Sequence, residues 1–302
     1  MRALPSFLAA LLFLASGDAR GEAPYVARDL IADGTFTGGI EGPATGNDGA
    51  LYAVNFGRDG TIGRIAHPGR GGDAELFLTL PEGSTGNGIR FGVQGDMYVA
   101  DYTGNNILRI DMRDRSVAVF AHDPRMHQPN DLAIAPDGTL YASDPRWPRG
   151  DGQLWRIDRD GATHLLASGM GTTNGIEVSP DGRRLYVNES VQRRVWAYDI
   201  GDGHRLGARR LLIAFDDHGL DGMRADAAGN LYIARHGAGT VAIVSPAGTL
   251  LREVRLKGRE PSNLAFGGED GRDVFVTMQD RGAIETFRSE HPGRETGRPD
   301  TR

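Results

Sequence analysis

Six oxygen-bearing side chains, Glu41, Asn87, Asn130, Asn174, Asp221 and Asn263, recur along the chain some forty-odd residues apart, each just ahead of an apolar stretch. Two carboxylates and four amides, with no His or Cys among them, form a hard-oxygen donor set that suits Ca2+, Mg2+ or Mn2+ better than Zn2+ or copper. The two carboxylates can balance one divalent ion. Without a cation, Glu41 and Asp221 would repel across a narrow opening, and one would tend to hold a proton. Asn and Asp ahead of a strand also cap turn backbone. The six therefore do chemistry only if the fold brings them together.

What would bring them together is a repeat. LYAV (51), MYVA (97), LYAS (140), LYVN (185), LYIA (231) and VFVT (274) each carry an aromatic second, at Tyr52, Tyr98, Tyr141, Tyr186, Tyr232 and Phe275, with spacings of 46, 43, 45, 46 and 43 residues. Each polar residue stands 11 or 12 positions before its aromatic, and the offsets of 12 coincide with the longer hairpins SPDGRRL and GGEDGRDV. Around every anchor the order is the same: an apolar strand, a turn such as PDG, the aromatic strand, a polar turn, a strand such as NILRID, and a fourth such as AELFLTL. Four short strands per repeat at this period predict an all-β, six-bladed β-propeller over residues 25–287. In such a ring the first strand of each blade lines the axis, so the six polar residues converge at one mouth.

The last repeat ends at GAIETF (282–287) without a fourth strand, whereas YVARDLIADGTF (25–36) is a fourth-type strand without a blade. The N-terminal segment is therefore expected to complete blade six and cover its open edge. No mature stretch shows the sustained 3.6-residue pattern of a helical fold. Forty-four glycines without a collagen-like period fit many turns. A formal net charge of -6 with no basic block argues against a nucleic-acid surface, and the absence of Cys excludes disulfides and thiolate chemistry.

Residues 1–23 read as a secretory signal: Arg2, then the apolar run Ala3 to Ala15, then small residues at Ser16 and Gly17. The run is short for a membrane span. The expectation is an exported protein, periplasmic or secreted. Residues 288–302, rich in Pro, Gly and Arg, read as a disordered tail.

EGP (41–43), PND (129–131), TNG (173–175), LDGM (220–223) and SNLAFGG (262–268), in this order, resemble the regucalcin and gluconolactonase, or senescence marker protein, family over about residues 30–287. The resemblance implies a metal-dependent lactonase with one central divalent metal, Ca2+ first and Mg2+, Mn2+ or Zn2+ as alternatives, acting on a small lactone. It implies Glu41, Asn174 and Asp221 as metal ligands, Asp221 also as the general base, and Asn130 as a residue contacting substrate or water beside the metal. Asn87 would help to orient the substrate. The animal members carry an Arg two positions before the residue matched by Asn130; Gln128 stands here. It brings a hydrogen bond without a charge, so the sugar preference does not carry over.

In blade three the loop DPRWPRGDG (144–152) is longer than its counterparts and falls on the same face as the ring. Trp147, with Arg146 or Arg149, is a candidate substrate-binding lid. Asp48, Asp137 and Asp181 sit in the hairpins of the opposite face and read as turn formers. Two other functions stay open: a calcium-stabilised propeller that binds a ligand or protein without turnover, and a propeller lyase using His236 as base. GxSxG and DxDxDG motifs are absent, which removes support for a serine hydrolase or an EF-hand.

Overall fold

The alternation of short β-rich runs with Gly-containing turns produces only four-stranded antiparallel sheets, six of them, in a computed structural model that describes residues 23–70 and 72–295. The first strand, β1 (Arg28–Ile31), stands apart from the repeat, as the sequence predicts. Blade one follows as β2 (Phe36–Thr45), β3 (Leu51–Phe56), β4 (Thr61–Ile65) and β5 (Ala74–Thr79). Blade two is β6 (Gly86–Phe91), β7 (Met97–Asp101), β8 (Asn106–Ile110) and β9 (Val117–His122). Blade three is β10 (Leu132–Ile134), β11 (Leu140–Asp144), β12 (Gly152–Ile157) and β13 (Thr163–Met170). Blade four is β14 (Thr173–Val178), β15 (Arg184–Glu189), β16 (Arg194–Asp199) and β17 (Arg210–Ala214). Blade five is β18 (Met223–Ala225), β19 (Leu231–Arg235), β20 (Thr240–Val244) and β21 (Leu250–Arg255). Blade six consists of β22 (Pro261–Gly267), β23 (Asp273–Met278), β24 (Ala283–Arg288) and the returning β1.

The inner strands bury both faces because each blade is stacked between two others. Thus β11 and β14 are buried at every residue, while the outer β21 is mostly exposed. The apolar core is correspondingly divided into six clusters, one between each pair of neighbouring blades. The repeating aromatics are what fill them. Tyr52 meets Phe77 edge-on at 5.0 Å and Tyr232 meets Phe266 at 5.0 Å. Burying one such ring stabilises the fold by about 2–3 kcal/mol.

Ring closure follows the expected route. β1 pairs antiparallel with β24, placing Arg28 opposite Thr286 and Ile31 opposite Ile284. Charged contacts reinforce this seam: Asp29 meets Lys257 at 2.6 Å and Arg281 at 2.8 Å, and Arg281 also reaches Asp33 and the buried Glu285.

The C-terminal segment departs from the expected free tail. Arg288 still belongs to β24, and residues 289–295 are stitched to the base of the ring; residues 296–302 lie outside the described residues, as does nearly all of the expected signal segment. The Ala227 amide donates to the Pro292 carbonyl at 2.8 Å, Gly293 N to Gly271 O at 2.9 Å, and Arg294 N to Ala225 O at 3.1 Å. The Arg294 side chain then enters the axis from this far face. Its Nε donates to Glu177 Oε1 at 2.8 Å and its Nη2 to Ile134 O at 3.0 Å. Seven residues thereby tie blades three, four, five and six together. Composition pointed to disorder because it counts polar residues without seeing that one of them has a buried carboxylate waiting.

Candidate metal centre

Asn87, Asn174 and Asn263 stand in the first residues of β6, β14 and β22, Asn130 and Asp221 two residues ahead of β10 and β18, and Glu41 in the middle of the long β2; in four blades the strand pairing is irregular at that point. Register shifts fall between Glu41 and Ala44, Gly86 and Ile89, Thr173 and Ile176, and Pro261 and Asn263. Such irregularities turn a side chain out of the alternating pattern, here toward the axis.

Contacts between neighbouring blades then close the ring of side chains. Asn263 Nδ2 donates to Glu41 Oε2 at 2.9 Å, and Ser262 Oγ to Ile40 O at 2.8 Å. Asn87 Nδ2 and Gly88 N donate to the Asn130 carbonyl at 3.0 and 2.8 Å, and Gly222 N to Ser262 O at 2.7 Å. Approach this close requires glycine. A Cβ on Gly222 would lie 2.0 Å from the Asn263 side chain, and one on Gly42, whose φ is +54°, 1.9 Å from the Asn87 carbonyl.

The carboxylates of Glu41 and Asp221 adjoin, and the Asn174 amide lies beside Asp221. Both acids are buried. Burial first, then the negative charge of Asp131, pushes Glu41 up to about 7; burial and then Glu41 itself raise Asp221 well above the usual carboxylate range. Two adjacent buried carboxyls do not both ionise unless a positive charge joins them.

Two further atoms point the same way. Asn130 Oδ1 and Asn174 Oδ1 are buried acceptors with no hydrogen-bond partner among the described residues, a condition that native interiors avoid unless water or an ion completes the site. Two carboxylates and two unpaired amide oxygens fit a hard divalent cation. Among the described residues no three His, Cys, Asp or Glu converge in a metal-holding group; here half of the donors are amides.

The six residues do not share one role. Asn263 is spent on the ring itself, since its Nδ2 serves Glu41 and its Oδ1 accepts Leu264 N at 2.9 Å. Asn87 is half-buried and bridges to blade three. Glu41, Asn130, Asn174 and Asp221 remain as the group facing one another or left unsatisfied.

Under this layer lies a buried ionic one. Asp131 is fully enclosed between Arg90, 3.3 Å away, and Arg224, 3.2 Å away. Sequence reasoning missed it, and it missed Asn188, whose Nδ2 donates to the Asp221 carbonyl at 2.6 Å while its own Oδ1 is unpaired. A signal existed. Two positions after the repeating aromatic, Val54, Ala100 and Ala234 contrast with Ser143, Asn188 and Thr277. Ser143 Oγ accepts Asp131 N at 3.1 Å and Thr277 Oγ1 accepts Asn263 N at 3.0 Å. The polar exceptions at a buried repeat position are thus the residues that fix the first strands.

The rim of the same mouth holds the remaining candidates. Gln128 Nε2 donates to Tyr102 Oη at 3.0 Å, and its Oε1 accepts Trp147 N at 3.1 Å. Trp147 is half-buried, Arg146 pairs with Asp151 at 3.1 Å, and Arg149 is exposed. His236, half-buried, contacts Gln279 Oε1 at 3.3 Å. On the opposite face Asp48, Asp137 and Asp181 accept backbone amides within their own hairpins, as expected of turn formers. A cavity of about 920 Å³ opens on that opposite face, between Phe91, Phe266, Arg90 and Arg294, away from the paired carboxylates.

Comparison with known proteins agrees with the fold. The SMP-30/Gluconolactonase/LRE-like region matches residues 41–280. A gluconolactonase of Zymomonas mobilis is 32% identical over 218 residues, 63% of this chain and 60% of that protein. A 6-deoxy-6-sulfogluconolactonase of Pseudomonas putida is 31% identical over 66% of this chain and 70% of its own length. Among solved structures, the calcium-binding protein regucalcin from Agrobacterium tumefaciens superposes with a TM-score of 0.76 at 20% identity, covering 90% of this chain and 95% of that one. With the matched region spanning all six first-strand residues, the chain belongs to the SMP-30/gluconolactonase/LRE-like family.

Proposed function

We propose that this protein hydrolyses a lactone with the help of one divalent cation held by Glu41, Asn174 and Asp221, Ca2+ being the best match to the donor set. The observation that carries the reading is the meeting of Glu41 and Asp221 beside unpaired amide oxygens of Asn130 and Asn174. Relatives named as lactonases support the reaction class.

Bound there, the cation supplies Lewis acidity toward a carbonyl oxygen and relieves the conflict between the two carboxylates. The rest falls to the chain. Asp221 is at the ring and takes a proton from water as that water attacks the lactone carbonyl carbon. The bond between the carbonyl carbon and the ring oxygen then breaks, and the departing alkoxide takes back the proton held by Asp221, giving a hydroxy acid and restoring the base. Asn130 and Asn87, joined across blades two and three, hold the substrate over Asp221. Buried Asn263 keeps Glu41 oriented and therefore the pocket shaped.

The leader-like residues 1–23 support export, which N-terminal sequencing of the mature protein would check. No helix among the described residues is long and apolar enough to cross a membrane.

The test is a lactone panel assayed after exhaustive chelation and after adding back Ca2+, Mn2+ or Zn2+. The expected result is loss of turnover on chelation, recovery on readdition, and no activity in Asp221→Ala, with His236→Ala near wild type. Undiminished hydrolysis in the metal-free protein refutes the reading. Calcium binding without hydrolysis of any lactone would instead favour a binding protein.

A further inference from the structure

The cavity of the far face and the charges around it are left unused by the reaction above. Three residues after the ring positions Asn87, Asn174 and Asp221 stand Arg90, Glu177 and Arg224, in the same first strands β6, β14 and β18. Those three blades thus carry an oxygen donor at one mouth and a charge toward the other. Arg90, Glu177 and Arg224 line the cavity of about 920 Å³, and the C-terminal segment adds Arg294 and Glu295 to its wall.

Within that wall one donor is left over. The Arg90 side chain is 1% exposed. Its Nη1 donates to Ile89 O at 2.9 Å and to Asp131 Oδ1 at 3.3 Å, and its Nη2 to Ile176 O at 3.5 Å. Its Nε has no hydrogen-bond partner among the described residues. The Glu295 carboxylate faces that nitrogen but stops at 3.9 Å, beyond hydrogen-bond reach. Buried donors are rarely left so unless another group completes them.

Glu295 is the exposed member of the set. Its side chain is 36% exposed, whereas those of Arg294 and Glu177 are 2% and 1% exposed, and its Oε1 accepts from Arg294 Nη2 at 3.1 Å. With Glu295 in place, the guanidiniums of Arg90, Arg224 and Arg294 face the carboxylates of Glu177, Glu295 and, behind the wall, Asp131. Swung aside, Glu295 leaves one positive charge unmatched. The wall between these charges is apolar, with Phe91, Ile134 and Phe266. One surplus positive charge beside hydrocarbon fits a ligand with a single carboxylate and an apolar body; inorganic phosphate brings more charge and no apolar part.

The geometry points to the far-face cavity as a second ligand site, one that takes a small organic monocarboxylate whose carboxylate displaces Glu295 from Arg90 and Arg294 while its apolar body meets Phe91 and Phe266. The site stands apart from the paired carboxylates of the ring and does not depend on the lactone reading.

Calorimetric titration of hexanoate into the Ca2+-loaded full-length protein tests it, with hexanamide as the uncharged counterpart. The expected result is one saturable site for hexanoate and none for hexanamide. Glu295→Ala removes the internal competitor from an exposed position, so hexanoate should bind roughly three- to fivefold tighter. Arg90→Lys keeps a positive charge near Asp131 but deletes the Nε donor, so binding should weaken by roughly fivefold or more. Glu41→Gln, at the opposite mouth, should leave the hexanoate Kd unchanged. Absence of saturable hexanoate binding in both wild type and Glu295→Ala overturns the proposal, as does equal affinity in those two proteins or equal binding of hexanamide. Binding that disappears in Glu41→Gln places the carboxylate at the metal mouth and overturns it as well. If Arg90→Lys fails to fold, Glu295→Ala and Glu41→Gln still decide the matter. Lactone turnover, present or absent, changes none of these outcomes.

Discussion

Replacing Arg294 by Met should destabilise the whole propeller, although residue 294 lies beyond the last strand. Its side chain is 2% exposed and that of Glu177, its partner, is 1% exposed. Breaking a buried pair from one side typically costs about 3–5 kcal/mol, since the surviving charge keeps its desolvation penalty. Here Glu177 retains one backbone donor, Val178 N at 2.7 Å, which places the expected loss at the lower end, about 3 kcal/mol. For a domain of this size that corresponds to a fall in Tm of roughly 6–8 °C. Urea unfolding of wild type, Arg294→Met, Glu177→Gln and the double variant would measure it. The double variant should be more stable than either single one predicts by addition, as removing both charges leaves none stranded. A change below about 0.5 kcal/mol in Arg294→Met, the scale of an ordinary surface substitution, would refute the assignment of residues 289–295 as a clasp.

Two further outcomes follow from the ring. Gly222→Ala would force a methyl into the Asn263 side chain; the expected cost is about 1–3 kcal/mol for overpacking, with weaker metal binding by calorimetry because Asn263 holds Glu41. In metal-free protein, Glu41 binds a proton in the folded state up to about pH 7 that an unfolded chain releases near pH 4.5. Stability should therefore fall as pH rises through that window, by about 3 kcal/mol in all, in urea titrations at pH 5, 6 and 7 with chelator. Saturating Ca2+ should flatten the profile.

The fold was legible because a propeller writes its geometry into the sequence several times over. The anchor Tyr52 and its five counterparts each fill the space between two blades, and an aromatic needed at the same place in every repeat is visible without any contact map. The ring residues were legible for the same reason, through a constant distance to that aromatic. Closure by β1 could be read from a missing strand at one end and an extra one at the other.

Roles within the ring were not legible. Asn263 and Asn174 have the same side chain and the same offset of 12, yet one is consumed by Glu41 and Leu264 N while the other keeps a bare oxygen. Only the packing of neighbouring blades decides that. Arg294 was invisible for a related reason: its partner Glu177 is 117 residues away, and nothing local marks either as buried. Gln128 was read as facing substrate, whereas its amide is taken up by Tyr102 and Trp147, and the reach of a phenol from the adjacent blade has no sequence periodicity to reveal it.

Calorimetric titration of Ca2+ into metal-stripped protein tests the central claim most directly, using wild type, Glu41→Gln, Asp221→Asn and, as a far-face control, Asp181→Asn. The account predicts one site per chain in wild type and in Asp181→Asn, affinity at least tenfold weaker in Glu41→Gln, and no measurable binding in Asp221→Asn. Equal binding in all four proteins, or none in the wild type, would contradict it.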